Sequence, residues 1–144
     1  MITFKQYINE QVAVNVPRVL FHAAPSKYKQ DILKQGLKPS KGGTTFLNRT
    51  YSARVHLCTR IEAAWDFTMS INARREQGED EIEYDIFHIN VEELPENTEF
   101  YTDPAFDHFG VWTEGVIPAT SIVKVTKVDH DWEPDDDYYA GKNE

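Results

Sequence analysis

An α+β fold is what this sequence predicts, on three observations. Extended and helical patterning alternates at first, in the order strand, helix, strand, helix, and then gives way mainly to strands, which favours α+β over a doubly wound sheet. Residues 81–91 (EIEYDIFHINV) put Ile82, Tyr84, Ile86, His88 and Asn90 on one face and Glu83, Asp85, Phe87, Ile89 and Val91 on the other, the strongest strand signal in the chain. At 144 residues the chain has the length of one domain. A chain of that size buries roughly two thirds of its unfolded surface, enough for a core without staples.

Each element has its own signal. Residues 1–10 (MITFKQYINE) are short and amphipathic, with Phe4, Tyr7 and Ile8 on one helical face, and they lack the apolar stretch and cleavage site of a secretory signal. Residues 11–15 read as a linker, and 17–23 (PRVLFHA) as a short apolar strand. Pro25 is expected to open a helix, where its missing N–H costs nothing, and that helix runs through Tyr28, Ile32 and Leu33 to a left-handed cap at Gly36. Residues 37–52 form a loop with Gly42, Gly43 and many hydroxyls. A second strand covers 54–59 (RVHLCT), with Val55 and Leu57 facing away from His56 and Cys58. A second helix covers 60–73 and carries Ala63, Ala64, Phe67, Met69 and Ile71. A polar loop over 74–80 leads into the alternating strand. Short strands follow at 98–102 and Gly110–Thr113, and Ile122–Val128 closes the fold with lysines outward. Residues 129–144 are an acidic, aromatic, frayed end.

Composition excludes several classes. Hydrophobic residues make up 40% and charged residues 27%, which is ordinary for a globular protein and wrong for a collagen-like or disordered one. No apolar run approaches the roughly 18 residues of a spanning helix. A single cysteine, Cys58, excludes an internal disulfide framework and a zinc knuckle, and the five histidines have no HxxxH or HExxH spacing. The net charge of −9 is unevenly spread. From Arg18 to Arg75 there are eleven Lys/Arg against three acids; from Glu76 to Glu144 there are twenty acids against three lysines. A basic first half suits a phosphorylated ligand, whereas the acidic second half repels long nucleic acids. Solvated surface accounts equally well for most of these charges.

Three segments carry candidate chemistry, each at a strand end. In LFHAAP, His22 closes an apolar strand just before an expected helix N-terminus, where an imidazole and backbone amides together favour an anion. In RVHLCT, His56 faces away from Val55 and Leu57 and requires a partner or a cleft. In FGVWTEGVIP, an aromatic, glycine-containing strand leads into a turn at Glu114. A hydrogen-bonded core histidine, a partly exposed strand histidine and a surface glutamate are the structural alternatives.

In this order the segments resemble the ADP-ribosyltransferase superfamily, and most closely its tRNA 2′-phosphotransferase branch. LFHAA, GLKPS (residues 36–40), RVHLC and GVWTEGVIPA match four motifs of that branch over about residues 18–126. The resemblance implies a split pair of small sheets clasping NAD, as substrate, in a cleft, with two early helices. It implies that His22, beside Ala23, hydrogen-bonds the nicotinamide-side ribose, that His56 lines the nicotinamide pocket, and that Val111 is the hydrophobic third member of the set. It further implies that Thr113 and Glu114 contact the acceptor, with Glu114 orienting a nucleophile, and that Lys27, Arg54 or Arg60 reach a phosphate. The branch also has an N-terminal winged-helix lobe that grips RNA. Here the first motif begins near residue 18, so a small-molecule or protein acceptor is expected in place of RNA.

Residues 1–10 resemble the capsid-targeting leader of internal proteins of T-even-type bacteriophages, and Ile8-Asn9-Glu10 fits the cleavage triplet of their prohead protease. The expected organisation is a cleavable leader at 1–10, an ADP-ribosyltransferase-like domain at 11–128 and an acidic tail at 129–144. The leading expectation is a phage-encoded NAD-dependent enzyme, carried in the phage head into the host cytoplasm, that modifies a host component or counters a defence. The alternatives are a non-catalytic inhibitor of a host protein, with DHDWEPDDDYY mimicking a nucleic-acid backbone, and an internal structural protein of the virion. No metal and no membrane association is expected.

Overall fold

A computed structural model describes residues 13–39, 53–75, 78–103 and 109–128. The expected leader, most of the 37–52 loop and the acidic tail lie outside them. Among the described residues the strands are β1 (Val19–Pro25), β2 (Val55–Cys58), β3 (Tyr84–Asn90), β4 (Tyr101–Thr102), β5 (Gly110–Thr113) and β6 (Ile122–Val128). The helices are α1 (Lys29–Gln35) and α2 (Ile61–Ala73). The architecture is α+β: a six-stranded sheet in the order β4-β5-β2-β1-β3-β6, every neighbouring pair antiparallel, with two short helices.

Pairing is uneven across this sheet. β1 and β3 match at seven positions, from Val19 opposite Asn90 to Pro25 opposite Tyr84. β2 and β5 match at four. β1 and β2 match only at Phe21 opposite Cys58. The sheet is therefore two three-stranded halves, β4-β5-β2 and β1-β3-β6, joined along a seam one residue pair long. Side chains hold the seam where the ladder does not. On one face Leu20, Ala24, Phe87 and Ile89 from one half pack with Val55, Leu57 and Val111 from the other, beneath Ile32 of α1, Leu37 and Ile117. On the other face Phe21, Cys58 and Ile86 pack with Ile61 and Ala64 of α2. Because β3 is covered on both faces, Ile86, Phe87 and Ile89 are all fully buried, each contributing about 1.5–3 kcal/mol.

The start of α1 departs from expectation. Pro25 opens no helix; it is the last residue of β1, at φ −55° and ψ 139°. The β1–β3 ladder runs on through it, and the next amide, of Ser26, donates to the Glu83 carbonyl at 2.8 Å. One 3-10 turn (Ser26–Tyr28) intervenes before α1 begins at Lys29. β3 is likewise shorter than the alternation from 81 to 91. Its end is set where the Asn90 side chain accepts from the Glu92 amide at 3.1 Å and turns Val91–Glu93 into a 3-10 helix. At β6 the register shifts between His88 and Ile89, so that Val123 bulges outward and is 58% exposed.

Gly36 ends α1 with φ +78° and ψ −167°, positive in φ as expected of a cap but extended in ψ. Leu37 then exchanges both backbone hydrogen bonds with Ile117, each at 2.8 Å. A methyl group on Gly36 would run into the Ile117 carbonyl oxygen and come within 2.9 Å of the Ala119 nitrogen. Gly36→Ala is expected to cost well over about 1 kcal/mol, since it adds a backbone clash to an unfavourable φ. A urea unfolding curve, read as a lower midpoint at unchanged slope, checks this.

Candidate functional site

The site is built at the seam. Where β1 and β2 separate beyond Phe21 and Cys58, the His22 imidazole takes over from the backbone: its Nδ1–H donates to the His56 carbonyl at 2.7 Å. That bond leaves Nε2 of the neutral ring as an acceptor. Loss of hydration is the largest influence on His22 and lowers its pKa; the bond to the His56 backbone opposes this, and charge on His56 acts with it. His22 is thus held uncharged at neutral pH.

His56 has a different partner. Its Nδ1 lies 2.8 Å from Oδ2 of Asp103, whose side chain is 9% exposed against 46% for His56. Strand register explains the meeting. Tyr101 lies opposite Trp112, and Trp112 opposite His56, so the three form a row across β4, β5 and β2. Asp103 follows two residues after Tyr101, on the same side of the chain, and its amide donates to the Gly110 carbonyl at 2.9 Å. Gly110, which has no side chain, lies between Asp103 and Cys58 in the next row of the sheet. Arg54 joins the same face, its guanidinium 3.6 Å from the centroid of the Trp112 ring, and Tyr101 stacks against Trp112 at 4.5 Å. By the same alternation His22 belongs to the opposite face, with Leu20 and Ala24.

The other expected site residues are more scattered. Ala23 packs against the Phe21 and Ile86 cluster. Val111 is buried in the core with Leu57 and Leu20. Thr113 is also buried, and its hydroxyl accepts from the Gly115 amide at 3.4 Å. Glu114 is exposed in the turn after β5, near enough to Tyr101 to raise that phenol's pKa slightly, behind the larger effect of the Glu99 hydrogen bond. Lys27 is exposed, with its ammonium over the Tyr28 ring at 5.1 Å. Arg60 lies over Phe109 at 4.8 Å and 3.8 Å from the buried Glu62. The structure therefore brings the His22 ring to the His56 backbone, and places Val111 and Thr113 on β5 on either side of Trp112, the residue opposite His56. His22 does not close its strand as expected: it is the fourth of the seven residues of β1, because the ladder with β3 runs on to Pro25, and α1 begins seven residues beyond it, so no α-helix start lies beside it. Asp103 was not legible from the sequence: it follows a two-residue strand and has no motif around it.

Compared with known proteins, the chain matches no protein-family model and no curated protein. No helix among the described residues is long and apolar enough to cross a membrane. The described residues hold no group of three or more His, Cys, Asp or Glu placed to bind a metal ion.

Two other titratable groups have fixed roles. Burial, then the nearby Asp103 carboxylate, pushes the Cys58 thiol up to about 12. A thiol so placed is no nucleophile at neutral pH. In the folded protein it should resist iodoacetamide at pH 8 and react only as the chain unfolds, which mass spectrometry along a urea series checks. His88, bonded through Nε2 to the Thr126 hydroxyl at 2.8 Å, is lowered to about 4 by burial and then by Lys124. Its ordinary value is 6.5, so in acid the unfolded chain binds a proton there that the folded chain refuses. This contribution is fully present above pH 6.5 and is lost as pH falls toward 4. Between pH 7 and 5 the native chain should lose up to about 2 kcal/mol more stability than His88→Gln, measured by urea unfolding at each pH.

Proposed function

We propose that this protein transfers an ADP-ribosyl group from NAD, with the seam between the two half-sheets as the place where the nicotinamide half of NAD is held. The observation that carries the reading is the His22 imidazole bridging that seam. Its Nδ1–H is committed to the His56 backbone and its Nε2 is left as an acceptor. An acceptor nitrogen there suits a ribose hydroxyl. A ring kept neutral by burial also suits it, since a charged imidazole would repel the positive nicotinamide ring. A split sheet is what the resemblance to ADP-ribosyltransferases implies, and the one-pair seam fits that expectation. The exposed Lys27, in the 3-10 turn before α1, supplies a positive charge that suits a pyrophosphate.

The role of His22 in this reading is positional. It orients the ribose so that the bond from its anomeric carbon to nicotinamide is exposed to an acceptor, which is the main contribution a hydrogen bond to a non-reacting group can make. The leader-like segment at 1–10 makes bacterial extract the natural source of that acceptor.

Nicotinamide release from NAD by the full chain, with and without bacterial extract, tests the proposal. The expected result is release by the native chain and a loss of at least about a hundredfold in His22→Ala, with the variant's unfolding transition still cooperative. Release that survives in a folded His22→Ala, or no release by the native chain under either condition, overturns it.

A further inference from the structure

We infer that the acidic residues 129–144 dock on the basic surface of residues 26–38 in the same chain, and compete there with phosphorylated ligands. The docking goes beyond the ADP-ribosyl reading. Only its consequence for NAD, competition for Lys27, rests on that reading.

Charge selects the two segments. Residues 26–38 (SKYKQDILKQGLK) hold four lysines against one acid, Asp31, and so carry +3 in a chain of −9. Lys27, Lys34 and Lys38 are exposed and Lys29 is half-buried. Residues 129–144 hold seven acids against Lys142, and so carry −6. Apolar side chains interrupt both: the exposed Tyr28 and Leu33 in the first, and Trp132, Tyr138 and Tyr139 in the second. Complementary charge of this kind selects one partner surface over others more than it supplies affinity.

Sheet register sets the two segments side by side. Pro25 lies opposite Tyr84, and Tyr84 opposite Val128, so the three form one row across β1, β3 and β6. The basic segment starts just beyond one end of this row and the acidic segment just beyond the other. Two strand spacings separate those ends, about 10 Å. At about 3.3 Å per extended residue, even the first few acids reach a helix that is roughly 10 Å long. The other neighbour of the row is unsuited, because residues 74–83 hold Arg74 and Arg75 against five acids. Of these acids, Glu83 borders the basic segment, its carbonyl accepting from the Ser26 amide at 2.8 Å. Lys127 offsets its carboxylate at 3.7 Å.

The tether favours the same chain over a second copy. It holds the acids at an effective concentration on the order of millimolar, well above that of another molecule in dilute solution. Each exposed pair is weak and screened by salt, so the contact yields to a multivalent anion.

Carbodiimide coupling, which joins a carboxylate to an amine in contact with it, tests the docking in the full chain without NAD. At low salt and micromolar protein, acids of 129–144 should couple to Lys27, Lys29, Lys34 or Lys38 within one chain, as mass spectrometry reads. Raising the salt to about 0.5 M should cut this coupling at least about fivefold. Coupling only between chains, coupling confined to Lys124 and Lys127, or none, overturns the inference. Competition is read with inorganic pyrophosphate. A full chain carrying Asp131→Asn, Glu133→Gln, Asp135→Asn, Asp136→Asn and Asp137→Asn should bind it at least about threefold more tightly than the native chain. Adding Lys27→Gln and Lys34→Gln should remove that gain. Equal affinity, or no measurable binding by either chain, overturns the competition. A native chain that couples as expected but releases no nicotinamide overturns the ADP-ribosyl reading and leaves the docking standing.

Discussion

The rest of this structure depends on the narrowness of the join between β1 and β2. An antiparallel sheet ordinarily satisfies its backbone through long ladders, and β1 does so toward β3 over its whole length. Toward β2 it does so at one residue pair. The carbonyl of His56, left beyond the end of that ladder, is satisfied by an imidazole. An unpaired carbonyl in such a place would cost a free energy comparable to a lost hydrogen bond, so the His22 ring is fixed in one tautomer by the same defect that opens the seam. Apolar packing closes the join on both faces, through Leu20 against Leu57 on one and Phe21 against Cys58 on the other.

Three histidines of the described residues illustrate how neighbours divide one side chain among different tasks. His88 is buried between Phe21, whose ring it meets edge-on at 5.0 Å, and the Thr126 hydroxyl, and it is a neutral structural residue. His22 is held neutral too, but with one nitrogen turned to the seam. His56 alone pairs with a carboxylate and remains half exposed. The chemistry that follows differs because desolvation governs the first two and a buried anion orients the third. Cys58 is driven away from reactivity first by its burial and then by the charge of Asp103, the same anion that bonds His56.

Much of the framework was legible in advance. The bounds of β5 and β6 and the body of α2 came from local periodicity, as did the opposed faces of Val55 and His56. Gly36 was legible because few other residues adopt its φ. The first turn after β1 departs from the sequence expectation, since proline is equally at home at the end of a strand and at the start of a helix, and only pairing with Tyr84 decides between them. The nearness of His22 and His56 was legible as two motifs; the backbone bond that joins them was not.

The sequence by itself determined which residues are apolar, where helix and strand periods change, and which histidines fall within strands, because these are properties of neighbours within a few positions. The tertiary structure decided that β1 leaves β2 after one pair and that Asp103 meets His56 across 47 positions of chain. Both outcomes depend on the register of β4, β5 and β2, and register is a balance of packing over whole strands, which no local pattern records.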